Sequence, residues 1–179
     1  KCLDLCCGAG GAAMGYSRAG FDEIVGVDIV HQKRYPFTFV QADALEYAAA
    51  HGHEFDAIHA SPPCQGYSAL RSLPWLRGRV YPRLIEPLRP LLRSIGVPYI
   101  IENVERAPLD GITLCGIMFG LPVYRHRVFE SSELLLQPAH EKHRVVIGHG
   151  RMVNDRRKGT LNAGSSRGAW GNQTIVTVA

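Results

Sequence analysis

Short apolar runs alternate with helical segments through the first two-thirds of the chain, and this order limits the fold more than any other feature. The apolar runs predict strands at residues 1–5, 23–27, 37–41, 55–60, 97–101 and 127–131. Helices are predicted at residues 12–19, 44–51 and 84–95, and Pro87 and Pro90 are expected to bend or shorten the last one. Strands that alternate with helices form a mostly parallel sheet covered on both faces. The sequence therefore predicts an α/β fold.

Polar residues and glycines come directly after several of these predicted strands. They are the glycine-rich residues 8–11, Asp28, Asp43, Cys64 and Glu102. The carboxyl ends of parallel strands share one edge of a sheet, and the ligands of such folds bind beyond that edge. We therefore predict a site that these residues line.

The stretch DLCCGAGG (residues 4–11) places glycines at a strand-to-helix turn. Glycine at such a turn lets a ligand approach the backbone closely. The pattern G-x-G-x-x-A that starts at Gly8 also fits a dinucleotide-binding turn, so a nicotinamide-dependent oxidoreductase stays open here. Asp28 can accept hydrogen bonds from two ribose hydroxyl groups in either case. The alternative for Asp28 and Asp43 is an ordinary loop acid or a helix-capping acid.

Cys64 lies directly behind two prolines in the stretch ASPPCQGYS (residues 60–68). The prolines stiffen the approach to this cysteine, and Gly66 after it permits conformations that other residues resist. Such a turn suits a nucleophile that waits for a lid, and it also suits an ordinary tight turn. A protease-like Cys/His pair would need a histidine brought close by the fold, and His59 and His126 are the candidates.

A second chemistry fits Cys64 better. A thiolate can add to C6 of a cytosine ring when ring N3 is protonated or hydrogen-bonded, and Glu102 offers the carboxyl group for that. Arg125 and Arg127 would hold the carbonyl oxygen of the base or the phosphate backbone, and would help to keep Cys64 ionised. The addition makes C5 of the ring able to attack an electrophilic methyl group.

The chain has five cysteines, none in a C-x-x-C pair: Cys2, Cys6, Cys7, Cys64 and Cys115. This pattern argues against a disulfide framework and a zinc ribbon, and for a reducing cytosol. No window approaches the roughly 20 apolar residues of a membrane helix. We therefore expect a cytoplasmic protein with no membrane contact.

His140, His143 and His149 are the one histidine cluster along the sequence. They have no cysteine close to them in sequence and no pair at the i, i+4 spacing of a helical metal site. We therefore expect no metal.

The positive charge is concentrated at the end of the chain. Residues 140–179 carry seven Lys or Arg and two acidic residues, a net charge of +5, and the first 139 residues have a net charge of −1. A near-neutral body with a basic end is typical of a surface that contacts phosphates, and also of a solvated loop.

Four motifs in this order resemble the DNA cytosine-5 methyltransferase family: DLCCGAGG, SPPCQ, IIENV (residues 100–104) and RHRVF (residues 125–129). The resemblance covers residues 1–132, and PCQ followed by ENV, each at a strand end, is its most specific part. It implies a Rossmann-like, doubly wound, mostly parallel sheet, the class I methyltransferase fold, with S-adenosylmethionine as the cofactor and S-adenosylhomocysteine as its product. It also implies methyl transfer to C5 of cytosine in DNA through a covalent bond between Cys64 and C6.

The resemblance implies further roles for the residues around Cys64. Glu102 would contact cytosine N3 and the amino group, and Asn103 would brace the loop. Arg127 would contact the base, with Arg125 beside it. A base must leave the stack to be attacked at these carbons.

Gln65 and Ser68 would begin the mobile loop that closes over the flipped base. The residues expected around the cofactor are Asp4, Cys6, Gly8, Gly10, Gly11, Asp28, Ile29, Asp43, Ala44 and Pro63. Among them, Asp28 would bind the ribose and Asp43 the adenine amino group.

The chain also departs from the family. Cys6 replaces a residue that is usually aromatic, and Val123 replaces a glutamine ahead of the arginine pair. The usual large target-recognition region is nearly absent. We therefore expect residues 1–132 to be the catalytic domain and residues 133–179 a short, basic, loop-rich recognition segment.

Residues 171–179 faintly resemble the final Gly-Asn motif of the family, but we expect that motif to lie beyond Ala179 and the chain to begin inside a longer protein. The expected partner is double-stranded DNA in a bacterium or a phage-infected host cell, and a restriction endonuclease is possible as a second partner. The alternatives are a methylase of tRNA or other RNA, and an inactive module that binds DNA or cofactor.

Overall fold

The computed structural model describes residues 1–68, 78–121, 123–141 and 143. Within these residues one sheet contains seven strands: β1 (Cys2–Leu5), β2 (Ile24–Asp28), β3 (Thr38–Gln41), β4 (Ala57–Ala60), β5 (Tyr99–Asn103), β6 (Ile112–Cys115) and β7 (His126–Ser131). The α-helices are α1 (Gly11–Arg18), α2 (Ala44–His51) and α3 (Ile85–Ile95). Short 3₁₀ turns cover Gly52–Glu54, Cys64–Gly66 and Gly116–Phe119.

The strand order is β3-β2-β1-β4-β5-β7-β6, and the first five strands are parallel. The chain builds outward from β1 to β3 and then returns to place β4 on the other side of β1. This reversal makes a crevice beyond the carboxyl ends of β1 and β4, where open α/β sheets bind their ligands. The predicted α/β fold with a mostly parallel, doubly wound sheet is confirmed.

The far end of the sheet differs from the sequence prediction. β7 runs antiparallel to both of its neighbours, and the edge strand β6 was not predicted. Glu102 and Asn103 belong to β5 rather than following it, because they pair with Phe129 and Val128 of β7. This antiparallel ladder keeps the backbone extended through Glu102 and Asn103, the first two residues of the ENV motif.

Neither proline ends helix α3, which runs from Ile85 to Ile95. Pro87 lies in the first turn, where the backbone N–H groups have no acceptor inside the helix. The proline therefore removes no hydrogen bond of the helix. Pro90 lies inside the helix, and the helix continues past it. The expected shortening does not occur.

The side chains of β1 alternate between the two faces of the sheet. Leu3 and Leu5 pack in the larger core with α2 and α3, whereas Cys2 packs with Ala13 of α1 and with Ile24. Both faces are therefore covered by helices, as the alternating sequence predicted. No helix among the described residues is long and apolar enough to cross a membrane.

Candidate active site

The glycine-rich turn between β1 and α1 lies at the crevice. Cys6, Gly8 and Gly10 have φ values of 56°, 49° and 87°, in the left-handed region that glycine adopts most easily. A Cβ atom on Gly10 would lie 2.6 Å from Cδ of Pro36, so the turn admits no larger residue there without rearrangement. A Cβ atom on Gly8 would meet nothing within 4 Å. The backbone at Gly8 therefore faces open space.

Asp4 is a buried carboxyl group below this turn, with 1% of its surface exposed. Its Oδ2 accepts a hydrogen bond of 3.1 Å from the Tyr35 hydroxyl, and its Oδ1 has no partner among the described residues. Burial raises the pKa of Asp4 to about 7, against the Tyr35 hydrogen bond and with a smaller contribution from Asp28. An unpaired buried acceptor at a ligand crevice suits a ligand that brings a hydrogen-bond donor.

Asp28 ends β2 and connects two stretches of backbone. Its Oδ2 accepts the N–H of Gly8 at 3.1 Å, and its Oδ1 accepts the N–H of Val30 at 2.9 Å. Ile29, the next residue, has 67% of its surface exposed. An acid beside an exposed apolar side chain is an arrangement that suits a ribose and the face of an aromatic base.

Asp43 is the N-cap of helix α2. Its Oδ1 accepts the N–H groups of Leu45 and Glu46 at 2.8 and 3.1 Å. Asp43 is therefore a helix-capping acid, as one of the two interpretations of the sequence had it, and Oδ1 is the oxygen that caps the helix. Ala44 starts the helix and is buried.

The loop that carries Cys64 is fixed at both ends. Asn103 is 2% exposed, and its Nδ2 donates to the carbonyl of Pro62 at 2.7 Å, which joins the end of β5 to the prolines. After Cys64, the N–H groups of Tyr67 and Ser68 both donate to its carbonyl. The Tyr67 hydroxyl donates to Glu86 at the start of α3. The cysteine thus lies in a braced turn with a half-buried, reduced thiol.

Glu102 and Arg127 form an ion pair on neighbouring strands, with Arg127 Nε 2.7 Å from Glu102 Oε1. Arg125 lies close to the same groups. Burial and the charge of Arg127 lower the pKa of Arg125, while Glu102 and Cys64 act in the opposite direction. The fold therefore brings together Cys64, Glu102, Arg125 and Arg127.

The two histidines considered as bases for Cys64 interact with other residues. His59 is buried, and its ring nitrogens lie 2.9 Å from the Tyr16 hydroxyl and 2.7 Å from the Ser61 hydroxyl. Burial lowers the pKa of His59 to about 4. His126 Nδ1 lies 3.8 Å from Glu105, and its Nε2 lies 3.0 Å from His140. In the part of the chain that the structure describes, the ring nitrogens of His59 and His126 are therefore directed at residues other than Cys64.

The remaining predicted site residues lie around the crevice or at its rim. Gly11 begins α1, Pro63 directly precedes the Cys64 turn, and Gln65 is exposed within that turn. Ser68 is the last described residue before residues 69–77. The predicted loop beyond it and the basic stretch 144–179 lie outside the described residues.

Sequence reasoning missed the tyrosines that support the site. Tyr35 bonds Asp4 from 31 residues away, and Tyr67 bonds Glu86 from 19 residues away. Neither residue belongs to a local motif that points to its partner. The loop position of Tyr67 directly after PCQG was the one available signal.

The sheet order, the glycine turn at its reversal point and the polar residues beside it define a class I methyltransferase fold. The family described as C-5 cytosine-specific DNA methylase matches residues 1–77. The type II methyltransferase M.XorII of Xanthomonas oryzae is 30% identical over 147 residues, which cover 71% of this chain and 30% of that protein. The chain is thus similar to the C-5 cytosine-specific DNA methylases over residues 1–77, and to a type II methyltransferase over 71% of its length.

Other comparisons agree with this similarity. The type II methyltransferase M.AgeI of Thalassovita gelatinovora is 28% identical over 165 residues, covering 72% of this chain and 38% of that protein. A structure described as a prophage-encoded DNA modification methyltransferase of E. coli has a TM-score of 0.52 and 24% identity, covering 72% of this chain and 44% of that one, and supports the fold alone. The chain spans only about a third of the length of the two curated relatives.

Proposed function

We propose that this chain carries the catalytic part of a DNA cytosine-5 methyltransferase that uses S-adenosylmethionine. The observation that carries the proposal is the grouping of Cys64, Glu102, Arg125 and Arg127 beside the glycine-rich turn, at the carboxyl edge of β4 and β5. A thiol, a carboxyl group and two guanidinium groups are the set that addition to a cytosine ring requires. The similarity to C-5 cytosine-specific DNA methylases points to the same reaction.

The residues of the glycine-rich turn fit S-adenosylmethionine, which supplies the methyl group when bound. Asp4 offers a buried carboxylate oxygen, which has no partner among the residues that the structure describes, to the ammonium group of the amino-acid part. Asp28 offers its carboxylate to the ribose hydroxyl groups, and Ile29 offers an exposed apolar surface to the adenine ring. Cys6 stands where an aromatic ring would otherwise cover that base.

The chain's own residues account for the activation of the cytosine. Cys64 loses its thiol proton to solvent and its thiolate bonds to C6, while the protonated carboxyl group of Glu102 donates a hydrogen bond or its proton to N3. The C5–C6 double bond is lost and C5 becomes electron-rich. After C5 has gained its methyl group, loss of the C5 proton restores the double bond and expels the Cys64 thiolate. The ion pair to Arg127 holds Glu102 in place for this role.

The proposed substrate is a flipped base in double-stranded DNA. The Lys and Arg side chains within residues 140–179 would neutralise DNA phosphates. Each such contact adds to the affinity for DNA and makes that affinity depend on salt. A type II partner endonuclease belongs to the same proposal, because M.XorII and M.AgeI are named as type II methyltransferases.

The test is covalent trapping on DNA that contains 5-fluorocytosine. Fluorine at C5 prevents the last elimination, so the enzyme stays bonded to its substrate. We expect a band on a denaturing gel that needs both S-adenosylmethionine and Cys64, and that is lost in Cys64→Ala. Cys2 lies at the end of β1 that is away from the crevice. Cys2→Ala is therefore the matched cysteine control and should still form the band. On unmodified DNA, Glu102→Ala should lower methylation at least about 100-fold.

The other outcomes separate the alternatives. Trapping on 5-fluorocytosine RNA but not on DNA would make the chain an RNA methylase. Cofactor binding without trapping on either nucleic acid would make it a binding module. Near wild-type methylation by Cys64→Ala would overturn the nucleophile assignment.

A further inference from the structure

A cysteine and three histidines converge at the far edge of the sheet, where β6 and β7 meet. Cys115, His126, His140 and His143 each place one donor atom within 4.8 Å of all the others. The Sγ of Cys115 lies 3.5 Å from Nε2 of His143, and Nε2 of His126 lies 3.0 Å from Nε2 of His140. Four potential metal-binding atoms therefore face one another across one small space.

The strand pairing explains how this cluster forms. Cys115 and His126 are directly opposite each other in the antiparallel pair of β6 and β7. Cross-strand neighbours place their side chains on the same face of a sheet, about 5 Å apart. The chain after β7 then returns His140 and His143 to the same face. The sequence prediction of no metal rested on the lack of a cysteine nearby in sequence and of a histidine pair at the i, i+4 spacing. Here the fold, not the sequence, brings a cysteine close to the histidines.

The three imidazole rings lie against one another: His126 and His143 are stacked with an interplanar angle of 10°, and His140 is tilted against both of them. Ring centroids are 4.9 Å apart for His126 and His143, 5.1 Å for His126 and His140, and 5.0 Å for His140 and His143. Tyr124 stacks on His143 at 4.2 Å with an interplanar angle of 6°. The rings are thus held with their nitrogen-bearing edges close together.

A carboxylate lies on the outer side of one of these rings. Glu105 Oε1 is 3.8 Å from Nδ1 of His126, the nitrogen that faces away from His140. Metal-binding histidines commonly interact through their second nitrogen with a carboxylate, which fixes the tautomer and orients the ring. Cys115 is 2% exposed, so its sulfur is shielded from solvent as in a closed structural site.

We propose that Cys115, His126, His140 and His143 bind one zinc ion. One thiolate and three imidazoles are a donor set that suits Zn²⁺, and four protein ligands complete its tetrahedral coordination, as in structural sites. Zn–N and Zn–S bonds of ordinary length place neighbouring donor atoms about 3.3–3.8 Å apart. The donor atoms here need shifts of about 1 Å or less to reach that geometry. Binding releases the thiol proton of Cys115 to solvent.

Such an ion would anchor the chain that follows β7. It would join the segment around His140 and His143 to the edge of the sheet, next to the RHR motif. Successive residues of a strand point to opposite faces, so His126 can bind the ion while Arg127 stays paired with Glu102. The ion would thereby fix the start of the arginine-bearing strand, and binding it does not depend on methyl transfer.

The experiment measures metal binding by the full chain without any methylation assay. The protein is purified without chelators, its metal content is measured by mass spectrometry, and the metal-free protein is titrated with Co²⁺ as a spectroscopic substitute for Zn²⁺. We expect about one zinc per chain, and a cobalt complex with tetrahedral d–d bands and a thiolate charge-transfer band. Zn²⁺ should displace the cobalt.

Two variants and one control locate the site. Cys115→Ser should remove the charge-transfer band, and His140→Gln, at an exposed position, should weaken zinc binding at least 10-fold. His53→Gln changes an exposed histidine on the turn after α2 and should leave both signals unchanged. Circular dichroism of the metal-free variants checks that they are folded. A chain without zinc and without affinity for it, or a charge-transfer band that persists in Cys115→Ser, would overturn the proposal.

Discussion

The buried carboxyl group of Asp4 lowers the stability of the folded protein near neutral pH, and it offers a hydrogen-bond acceptor to a ligand in the crevice. Its carboxyl group keeps a hydrogen bond from Tyr35 but has an oxygen without a partner among the described residues. The pKa of Asp4 is raised to about 7, above the ordinary value of 3.8, mainly by burial. The folded protein therefore holds a proton between pH 4 and 7 that the unfolded chain has released.

Replacing Asp4 with Asn should change how stability depends on pH. A raised pKa of an acid contributes stability that is complete below the unfolded pKa and is lost as pH rises through the folded pKa. The contribution of Asp4 to stability should therefore fall between pH 4 and 7, and Asp4→Asn should remove that part of the pH dependence. We expect the variant to be more stable at pH 8 by on the order of 3 kcal/mol and nearly equal at pH 4. Urea denaturation at both pH values measures the difference.

The same change should weaken binding of S-adenosylmethionine, because the amide offers no negative charge to an ammonium group. Asp22→Asn, which changes an exposed acid, is the control and should alter neither property. An Asp4→Asn effect on stability of equal size at pH 4 and pH 8 would mean that the carboxyl group is not held protonated in the folded state.

Among the elements, α3 and β7 are joined by a buried ion pair. Glu130 of β7 is 4% exposed and accepts Nε and Nη2 of Arg89 at 2.7 and 2.8 Å, as well as the N–H of Asp110 at 3.0 Å. Burial opposes the charged form, but the hydrogen bonds of Arg89 and Asp110 hold the pKa of Glu130 below its ordinary value. This two-pronged contact fixes the strand that carries the arginines against the helix.

Arg89→Ala should destabilise the protein by about 3 kcal/mol at pH 7, because the buried Glu130 carboxylate would keep only the N–H of Asp110 and the more distant Arg93, whose Nη2 lies 3.9 Å away. A lowered acid pKa contributes stability above the unfolded value that is lost as pH falls through the folded one, so the effect should shrink in acid. Guanidinium unfolding at pH 7 and pH 3 measures it. Arg18→Ala, an exposed arginine of α1, is the control, and equal effects of the two substitutions would contradict the importance of the pair.

The elements that the sequence predicted are those with strong local signals. The strands β1 to β5 are apolar runs near glycines, prolines or acids, and α2 has the predicted bounds because Asp43 caps it. The edge strand β6 has four residues, three of them half-buried, so it lacks the alternation that identifies a strand. The direction of β7 depends on pairing with β5, which no local pattern encodes.

The same distinction holds for the site. Cys64 and Glu102 were identifiable because each follows or ends an apolar run within a short motif. The contact of Tyr35 with Asp4 and the cluster around Cys115 join residues 11 to 31 positions apart, at points where only the folded backbone brings them together. Motif spacing identifies chemistry carried by one loop, and it misses chemistry shared between elements.

At the scale of the whole molecule, the described residues include the seven-stranded sheet and the point where its strand order reverses. The chain spans 30% to 52% of the length of three curated relatives. The glycine-rich turn, Asp28 and the start of α2 all lie within the first 50 residues. The proposed cofactor site therefore depends on elements that the described residues contain. Cofactor binding should not require the recognition part of a longer methyltransferase.

A ligand that binds the folded state alone raises its stability by about 2.7 kcal/mol at 100 times its dissociation constant. For a domain of this size, S-adenosylmethionine should then raise Tm by about 5–10 °C without any DNA. NAD at the same concentration should give no shift, because the glycine-rich turn alone does not make a nicotinamide site. In Asp28→Ala the shift should disappear, since the substitution removes the carboxylate that holds Gly8 and would hold the ribose. If NAD raises Tm and S-adenosylmethionine does not, the crevice binds a dinucleotide instead. If the shift with S-adenosylmethionine persists in Asp28→Ala, the cofactor binds elsewhere on the sheet.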